Sequence, residues 1–217
     1  MIDGIRFKVC GLTSLVDAEF ADKCGADYLG FNLFPLSPRF IALEQFKGLA
    51  KLLPDRKTVA VTVEPAPDEL KSMLEGGFDY FQIHFRTTIA PQEIEEWSEI
   101  VGRNRLWLAP KLPDGVDISP DWLNLADHCL MDTYAPDKFG GTGKTGDWAK
   151  FARHRTTYPQ THWMLAGGLT PENVEEAVRA SGARFVDVNS GVESAPGVKD
   201  EAKLKRFVVA LHRARTT

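Results

Sequence analysis

Short apolar runs alternate with amphipathic segments along the chain. Eight runs rich in strand-forming residues lie at 6–10, 27–33, 58–63, 78–84, 106–112, 128–132, 162–166 and 184–188. Helical spacing of apolar residues occurs at 15–23, 42–52, 68–74, 148–155, 171–180 and 201–213, and more weakly at 92–100 and 120–125. Strands that alternate with helices predict right-handed parallel crossovers. Eight such units fit an α/β fold of the (β/α)8 TIM-barrel type.

An open doubly wound sheet is the competing architecture. Its dinucleotide fingerprint, Gly-x-Gly-x-x-Gly, is absent after the first strand, where the chain reads Cys10-Gly-Leu-Thr13. The barrel is therefore favoured. Neither a linker nor a low-complexity tract interrupts the sequence, so we predict a single barrel domain over 1–217.

Local signals predict where three helices begin. Ser14 and Asp17 suit the start of the first helix, and Thr170-Pro171 places a cap and a proline directly after Leu169. A short extra helix is expected from Gly191 to Ser194, with its N-terminus facing an anion.

Composition narrows the class of protein. The net charge is -4 and the lysines and arginines are scattered, which argues against a nucleic-acid partner. The three cysteines, Cys10, Cys24 and Cys129, suit neither a disulfide framework nor a zinc cluster. No apolar run has the length of a membrane span. We therefore expect a cytoplasmic protein with no membrane segment.

Chemically useful residues stand where the predicted strands end, which is the active face of such a barrel. They are Cys10, Asn32, His84, Lys111, Asp132, Gly168 and Ser190. Cys10 is either a general base, if its neighbours lower its pKa, or a small buried apolar residue. Asp132 is either a functional carboxyl or a helix cap or salt-bridge partner in the following loop.

Small residues with accessible amides end the last two predicted strands. Gly167-Gly168 follows the seventh strand and Ser190-Gly191 the eighth. Either pair alone suits a tight turn. On adjacent strands the two pairs predict a phosphate-binding site.

Two further segments suggest contacts with a ligand. Arg39, in Ser37-Pro38-Arg39, is either a fork for a carboxylate or an exposed solubilising residue. Gln82 and His84 lie on one side of the fourth strand, where His84 either touches substrate or has a structural role. The glycine-rich segment 139–148 suits a loop that closes over substrate, but Lys138 stands where a nucleotide P-loop needs glycine.

Several of these segments together resemble one enzyme family. They are Lys8-Val-Cys-Gly-Leu-Thr13, Gly30-Phe31, Ser37-Pro-Arg39, Gln82-Ile-His84, Gly140-Gly-Thr-Gly-Lys-Thr145 with Asp147-Trp148, Leu165-Ala-Gly-Gly-Leu169 and the long string Asp187 to Asp200. The chain resembles phosphoribosylanthranilate isomerase of tryptophan biosynthesis from end to end. The long C-terminal string is the most specific part.

The resemblance implies an Amadori rearrangement of N-(5'-phosphoribosyl)anthranilate that uses neither a cofactor nor a metal. Cys10 would be the general base, acting as thiolate, and Asp132 the general acid, protonated when substrate binds. Arg39 would hold the anthranilate carboxylate, and the amides at Gly167, Gly168, Ser190 and Gly191 the phosphate. Asp187 resembles the family's residue near the sugar hydroxyls, although an orienting structural role is as plausible. The partner implied is a small phosphosugar, and such enzymes are monomers or homodimers.

The sequence departs from the family pattern at three positions. Phe85 stands where glycine is typical, Gly146 where an aromatic residue is common, and Asn189 where the family has a first serine. We expect Phe85 to reshape the room for the anthranilate ring and Gly146 to loosen the sixth loop. The alternatives are a metal-dependent epimerase, an aldolase-like lyase using Lys111, and a ligand-binding protein without activity.

Overall fold

A computed structural model describes residues 1–113, 115–132 and 147–214. Eight parallel strands close into a barrel in sequence order, with the last strand pairing with the first. They are β1 (Arg6–Val9), β2 (Tyr28–Asn32), β3 (Lys57–Val63), β4 (Tyr80–Arg86), β5 (Leu106–Lys111), β6 (His128–Met131), β7 (His162–Leu165) and β8 (Phe185–Val188). The predicted (β/α)8 barrel is thus confirmed.

Helices connect consecutive strands and form the outer layer. They are α1 (Leu15–Lys23), α2 (Leu43–Ala50), α3 (Pro67–Leu74), α4 (Pro91–Val101), α5 (Pro120–Leu123), α6 (Trp148–Thr157), α7 (Val174–Ser181) and α8 (Glu201–Arg213). The predicted start of α1 is correct, because the Ser14 hydroxyl accepts the amide of Asp17 at 3.1 Å. No helix in the described part of the chain has the length and apolarity needed to span a membrane.

The start predicted for α7 is wrong. Asn173, rather than Thr170, is the residue before the first helical turn. The Asn173 side chain accepts the amide of Thr170 at 2.8 Å and donates to the carbonyl of Gly168 at 2.9 Å. These bonds fold residues 170–173 into a turn of their own, and the helix begins only after it.

The predicted extra helix from Gly191 to Ser194 is also wrong in its extent. A 3-10 turn covers Ser190–Val192, and the chain then enters a small antiparallel hairpin, β9 (Glu193–Ala195) and β10 (Val198–Lys199). Glu193 lies outside this turn because its buried side chain accepts hydrogen bonds from two cations, Arg39 and Lys199.

Two apolar layers fill the molecule. The larger one lies between the strands and the helices. The smaller one lies inside the barrel, where aromatic side chains at the amino ends of the strands pack closely. There the ring centroid of Tyr28 lies 5.0 Å from that of Phe185 and 5.1 Å from that of Trp107. These rings plug one end of the barrel, so a ligand can enter only from the other.

Phe85 belongs to the outer layer. Its side chain is fully buried and packs edge-on against Trp97 and Trp122, at centroid distances of 5.7 and 5.3 Å. Successive side chains on a strand point to opposite faces, so Phe85 points away from the barrel interior that Gln82 and His84 face. Phe85 is therefore not part of the cavity wall, and the expectation that it directly reshapes the room for the anthranilate ring is not supported.

Candidate active site

A cavity of about 490 Å³ opens at the carboxyl ends of the strands. It receives side chains from the ends of β1, β2, β4, β6 and β8 and from the loops after β2 and β7. The polar and small residues in its wall include Cys10, Asn32, Ser37, Arg39, Gln82, His84, Asp132, Gly167, Gly168, Asp187, Asn189 and Ser190. Lys111 and Gly191 are the predicted candidates that the wall, as the structure describes it, does not include.

Cys10 lies at the floor of this cavity, immediately after β1. The thiol is buried, and burial raises its pKa above the usual value. The charge of Lys8 opposes that shift without reversing it. Cys10 is therefore a thiol near neutral pH, whereas general-base chemistry requires its thiolate.

Gly11 allows the chain to turn sharply beside the thiol. Its φ angle is +70°, and a β carbon there would lie 2.5 Å from Cδ of Arg39 and 2.6 Å from Oδ1 of Asn189. A side chain at this position would push both residues away from the cavity.

Lys8 forms a buried polar centre beneath Cys10. Its ammonium has no solvent exposure and donates to Oε1 of Gln82 at 2.9 Å and to Oδ2 of Asp187 at 3.0 Å. Burial alone would lower the pKa of Lys8, but the charge of Asp187 and the hydrogen bonds to the ammonium outweigh burial and raise it. Gly30 makes room, because a β carbon there would lie 2.7 Å from Cε of Lys8. Lys8 is therefore a fixed cation.

The hydrogen bond from Lys8 orients the side-chain amide of Gln82, and Gln82 in turn orients His84. Because Oε1 of Gln82 accepts from Lys8, its amide nitrogen donates to Nε2 of His84, 2.8 Å away. The ring proton of His84 is thereby assigned to Nδ1. Burial and the charge of Lys8 lower the pKa of His84 to about 3. His84 is a neutral side chain in the cavity wall at physiological pH.

Arg39 is held from behind by a carboxylate. Its Nε and Nη2 donate to the two oxygens of Glu193 at 2.8 and 2.7 Å, which is bidentate geometry. Lys199 donates to Oε1 of the same carboxylate at 2.7 Å. Hydrogen bonding to Glu193 raises the pKa of Arg39. The Arg39–Glu193–Lys199 cluster therefore fixes the guanidinium at the edge of the cavity.

Asn189 contacts the Arg39–Glu193–Lys199 cluster through Lys199. Its Oδ1 accepts from Nζ of Lys199 at 3.0 Å, and the residue lines the cavity beside Ser190. The amide thus has a defined partner in the position where the family pattern has serine.

The turns after β7 and β8 lie against each other. Gly167 and Gly168 have φ angles of +89° and +60°, values that favour glycine. A β carbon on Gly191 would lie 1.9 Å from the carbonyl oxygen of Leu169. Gly191 therefore lets the turn after β8 pack against the turn after β7, and this contact places Ser190 beside Gly168 in the cavity wall.

Two carboxyl groups face the cavity. Asp132 follows β6, is half-buried and lines the wall. Residues 139–146 of the glycine-rich segment expected to close over substrate, Gly146 among them, lie outside the described residues. Asp187 uses Oδ2 for Lys8, while its buried Oδ1 has no hydrogen-bond partner among the residues that the structure describes.

Three charged residues of this site escaped the sequence analysis as functional positions. Lys8, Glu193 and Lys199 are all buried charges. The spacing of Lys8 and Cys10 is the signal that could have found the first, because residues two apart on a strand share a face. Within the described ranges, no group of three or more His, Cys, Asp or Glu side chains is placed to hold a metal ion.

The fold and cavity together define a barrel enzyme, with proton-carrying side chains and small-residue turns meeting at the carboxyl ends of the strands. Residues 7–210 match the family model described as N-(5'phosphoribosyl)anthranilate (PRA) isomerase. An N-(5'-phosphoribosyl)anthranilate isomerase of Zymomonas mobilis is 33% identical over 211 residues, which is 95% of this chain and 98% of the relative. The chain therefore belongs to the phosphoribosylanthranilate isomerase family, as its motifs predict, and it is an isomerase.

Solved structures agree with this assignment. The phosphoribosyl anthranilate isomerase of Thermus thermophilus superimposes with a TM-score of 0.80 at 33% identity, covering 97% of this chain and all of the other. Another such enzyme, solved in complex with reduced 1-(o-carboxyphenylamino)-1-deoxyribulose 5-phosphate, gives a TM-score of 0.72 at 29% identity. That match covers 94% of this chain and 96% of the other.

Proposed function

We propose that the chain converts N-(5'-phosphoribosyl)anthranilate into 1-(2-carboxyphenylamino)-1-deoxyribulose 5-phosphate by general acid and base catalysis in tryptophan biosynthesis. One observation supports this mechanism most directly. Cys10 and Asp132, from the non-adjacent strands β1 and β6, line the same cavity as the glycine turns after β7 and the end of β8. An acid, a base and a phosphate site are what this reaction requires.

The proposed chemistry is two proton transfers. Asp132 delivers a proton to the furanose ring oxygen, the bond between that oxygen and C1' breaks, and the lone pair of the anthranilate nitrogen, already bonded to C1', turns the C1'–N bond into the double bond of a protonated Schiff base. Cys10, as thiolate, then takes the proton from C2', and the electrons of that bond give an enolamine. Tautomerisation to the ketone completes the rearrangement. Neither step changes an oxidation state of the protein, and we propose that no cofactor or metal takes part.

We propose that the substrate lies across the cavity with its charged ends at two built positions. The amides of Gly167, Gly168, Ser190 and Gly191 would bind the phosphate. Arg39, fixed by Glu193, would bind the anthranilate carboxylate. The unpartnered Oδ1 of Asp187 is a buried acceptor that a sugar hydroxyl would satisfy. Gln82 and His84 would contact the substrate between these ends.

Replacement of Cys10 and Asp132 tests this assignment. We expect Cys10→Ala and Asp132→Asn each to reduce kcat by at least about a hundredfold, the usual size of a lost acid or base. The assay follows the loss of anthranilate fluorescence without added metal. Cys24→Ala is the matched control, because Cys24 is a half-buried cysteine outside the cavity wall and should leave the rate unchanged.

Each outcome has a clear meaning. Activity equal to the parent's in both variants would contradict the mechanism, and an inactive parent would favour a ligand-binding protein without activity. Rescue of a tryptophan auxotroph that lacks the isomerase tests the reaction itself. We also propose that the chain acts in the cytoplasm as a single barrel domain, either as a monomer or as a homodimer. Light scattering on the purified protein would choose between the two.

A further inference from the structure

The centre of the barrel holds a charged layer directly beneath Cys10. Lys8, Gln82 and Asp187 occupy inward positions that (β/α)8 barrels usually fill with branched apolar side chains. Lys8 has no solvent exposure. A buried ion pair often stabilises a protein no more than well-packed apolar residues would. Stability alone therefore does not explain the buried ion pair of Lys8 and Asp187.

The arrangement of charges around the thiol singles out Lys8. Cys10 is influenced by the cations Lys8, Arg39 and Lys199 and by the anion Asp187. Arg39 and Lys199 share the carboxylate of Glu193. Of the three cations, Lys8 lowers the pKa of the thiol most, and burial outweighs it.

The ammonium of Lys8 has three donor hydrogens. Two are directed to Oε1 of Gln82 and Oδ2 of Asp187, at 2.9 and 3.0 Å. Lys8 also lies on the same strand face as Cys10, two residues away. An ammonium can only donate, and a hydrogen bond from its third hydrogen to the sulfur would be strongest when the sulfur is a thiolate.

We infer that Lys8 is the positioning residue of Cys10: its ammonium, anchored by Gln82 and Asp187, donates a hydrogen bond that stabilises the thiolate when Cys10 gives up its proton. The catalytic part of this inference rests on the proposed role of Cys10 as base. The electrostatic part concerns the thiol itself and holds whether or not the chain isomerises a substrate. Lys8 does not exchange a proton with the substrate in this scheme.

Thiol alkylation tests the inference without any substrate. In a Cys24→Ser background, the rate at which iodoacetamide labels Cys10 is measured against pH, with the labelled peptide identified by mass spectrometry. Lys8→Gln keeps a donor for Asp187 but removes the charge. The double variant Lys8→Met with Asp187→Asn removes both members of the ion pair and leaves no buried unpaired charge. Lys205→Met, which removes an exposed lysine on α8, is the matched control.

The midpoint of the alkylation profile should rise by about one pH unit or more in Lys8→Gln, which is roughly tenfold slower labelling near neutral pH. It should rise by less in the double variant, because Asp187→Asn also removes an anion that raises the pKa of the thiol. Lys205→Met should match the parent. A merely structural Lys8 would lower the melting temperature without moving this midpoint. A midpoint like the parent's in a folded Lys8 variant, as judged by near-UV circular dichroism, overturns the inference.

Turnover then distinguishes this inference from the proposed function. If Cys10 is the base, the acidic limb of kcat/KM should move upward in Lys8→Gln by the same amount as the alkylation midpoint. A moved midpoint together with an active Cys10→Ala variant would reject Cys10 as the base and keep the thiol–ammonium contact. An unmoved midpoint together with an inactive Cys10→Ala variant would reject the role of Lys8 and keep the proposed function.

Discussion

Arg39 shows how a residue of a loop is held in one orientation by a distant carboxylate. A lone arginine after a proline is usually mobile and solvated. Here both Nε and Nη2 donate to the buried carboxylate of Glu193, and the residue lines the cavity wall. Because the side chain is already ordered, less conformational entropy is lost when it binds an anion.

Glu193→Gln should weaken substrate binding more than catalysis. Glutamine keeps the size of the side chain but offers one acceptor and no charge, so Arg39 loses its bidentate partner. Since a hydrogen bond to a charged group contributes about 1.5–3 kcal/mol, we expect KM to rise roughly tenfold or more while kcat changes less. Steady-state kinetics measures both constants.

Glu175→Gln provides the comparison for that variant. It removes a carboxylate from an exposed pair with Arg179 on α7 and should leave KM unchanged. An unchanged KM in Glu193→Gln would show that Arg39 does not depend on Glu193 to bind substrate.

The elements themselves follow closely from the sequence pattern. The strands and helices agree with their predicted ranges within a few residues, because alternation and helical spacing are local properties that burial on one face imposes. The start of α7 could not be predicted, since it depends on two bonds made by the Asn173 side chain. The two-stranded hairpin was also not anticipated, because Glu193 meets its partner Arg39 across 154 residues of sequence.

The site shows the same division between local and distant information. Cys10, Asp132 and the glycine turns were found because strand ends mark the active face of a barrel. The ion pair of Lys8 with Asp187 joins residues 179 apart, and such a pairing has no local signal. The residues predicted from the sequence therefore include the groups assigned to substrate contact. They do not include Lys8, Glu193 and Lys199, which hold those groups in place.

Helix α2 contains a glycine that the fold does not require. Gly48 is exposed in a helix, and a β carbon there would meet no atom within 4 Å. Gly48→Ala should therefore raise the free energy of unfolding by about 0.5–1 kcal/mol, because alanine restricts the unfolded chain and favours the helix. Urea denaturation at constant pH measures the change.

Gly76→Ala is the contrasting variant. A β carbon at Gly76, after α3, would lie 2.8 Å from Cδ1 of Leu43 and 3.0 Å from the carbonyl oxygen of Met73. We expect this change to destabilise the protein. If both substitutions changed the free energy of unfolding equally, the space around each glycine would not determine the effect.

At the scale of the whole molecule, the barrel encloses ionisable groups at both ends. His128 lies at the closed end, where its ring stacks on Trp107 at a centroid distance of 5.2 Å. Burial and the neighbouring His162 lower the pKa of His128 to about 4. The folded protein therefore keeps this ring neutral in a range where the unfolded chain protonates it.

Stability should consequently fall in mild acid. Above about pH 6.5 the ring is neutral in both states, and as the pH falls toward 4 the unfolded state alone gains a proton. For this one group we expect a loss of about 2.5 kcal/mol between pH 7 and pH 4.5. His128→Gln should remove that part of the pH dependence, as measured by urea denaturation at both pH values.

Gly48→Ala, which replaces no titratable group, serves as the control for this change and should keep the parent's difference in unfolding free energy between the two pH values. The same difference in His128→Gln as in the parent would mean that the folded barrel does not lower the pKa of His128.

The ion pair of Lys8 and Asp187 also joins the first strand to the last, at the seam where the barrel closes. A ribosome makes Lys8 long before it makes Asp187, so during synthesis the lysine has to stay hydrated until β8 arrives. Only then does its charge leave water together with a partner. A partly synthesised barrel therefore cannot exclude water from its centre. The last water leaves the interior only when the last strand pairs with the first.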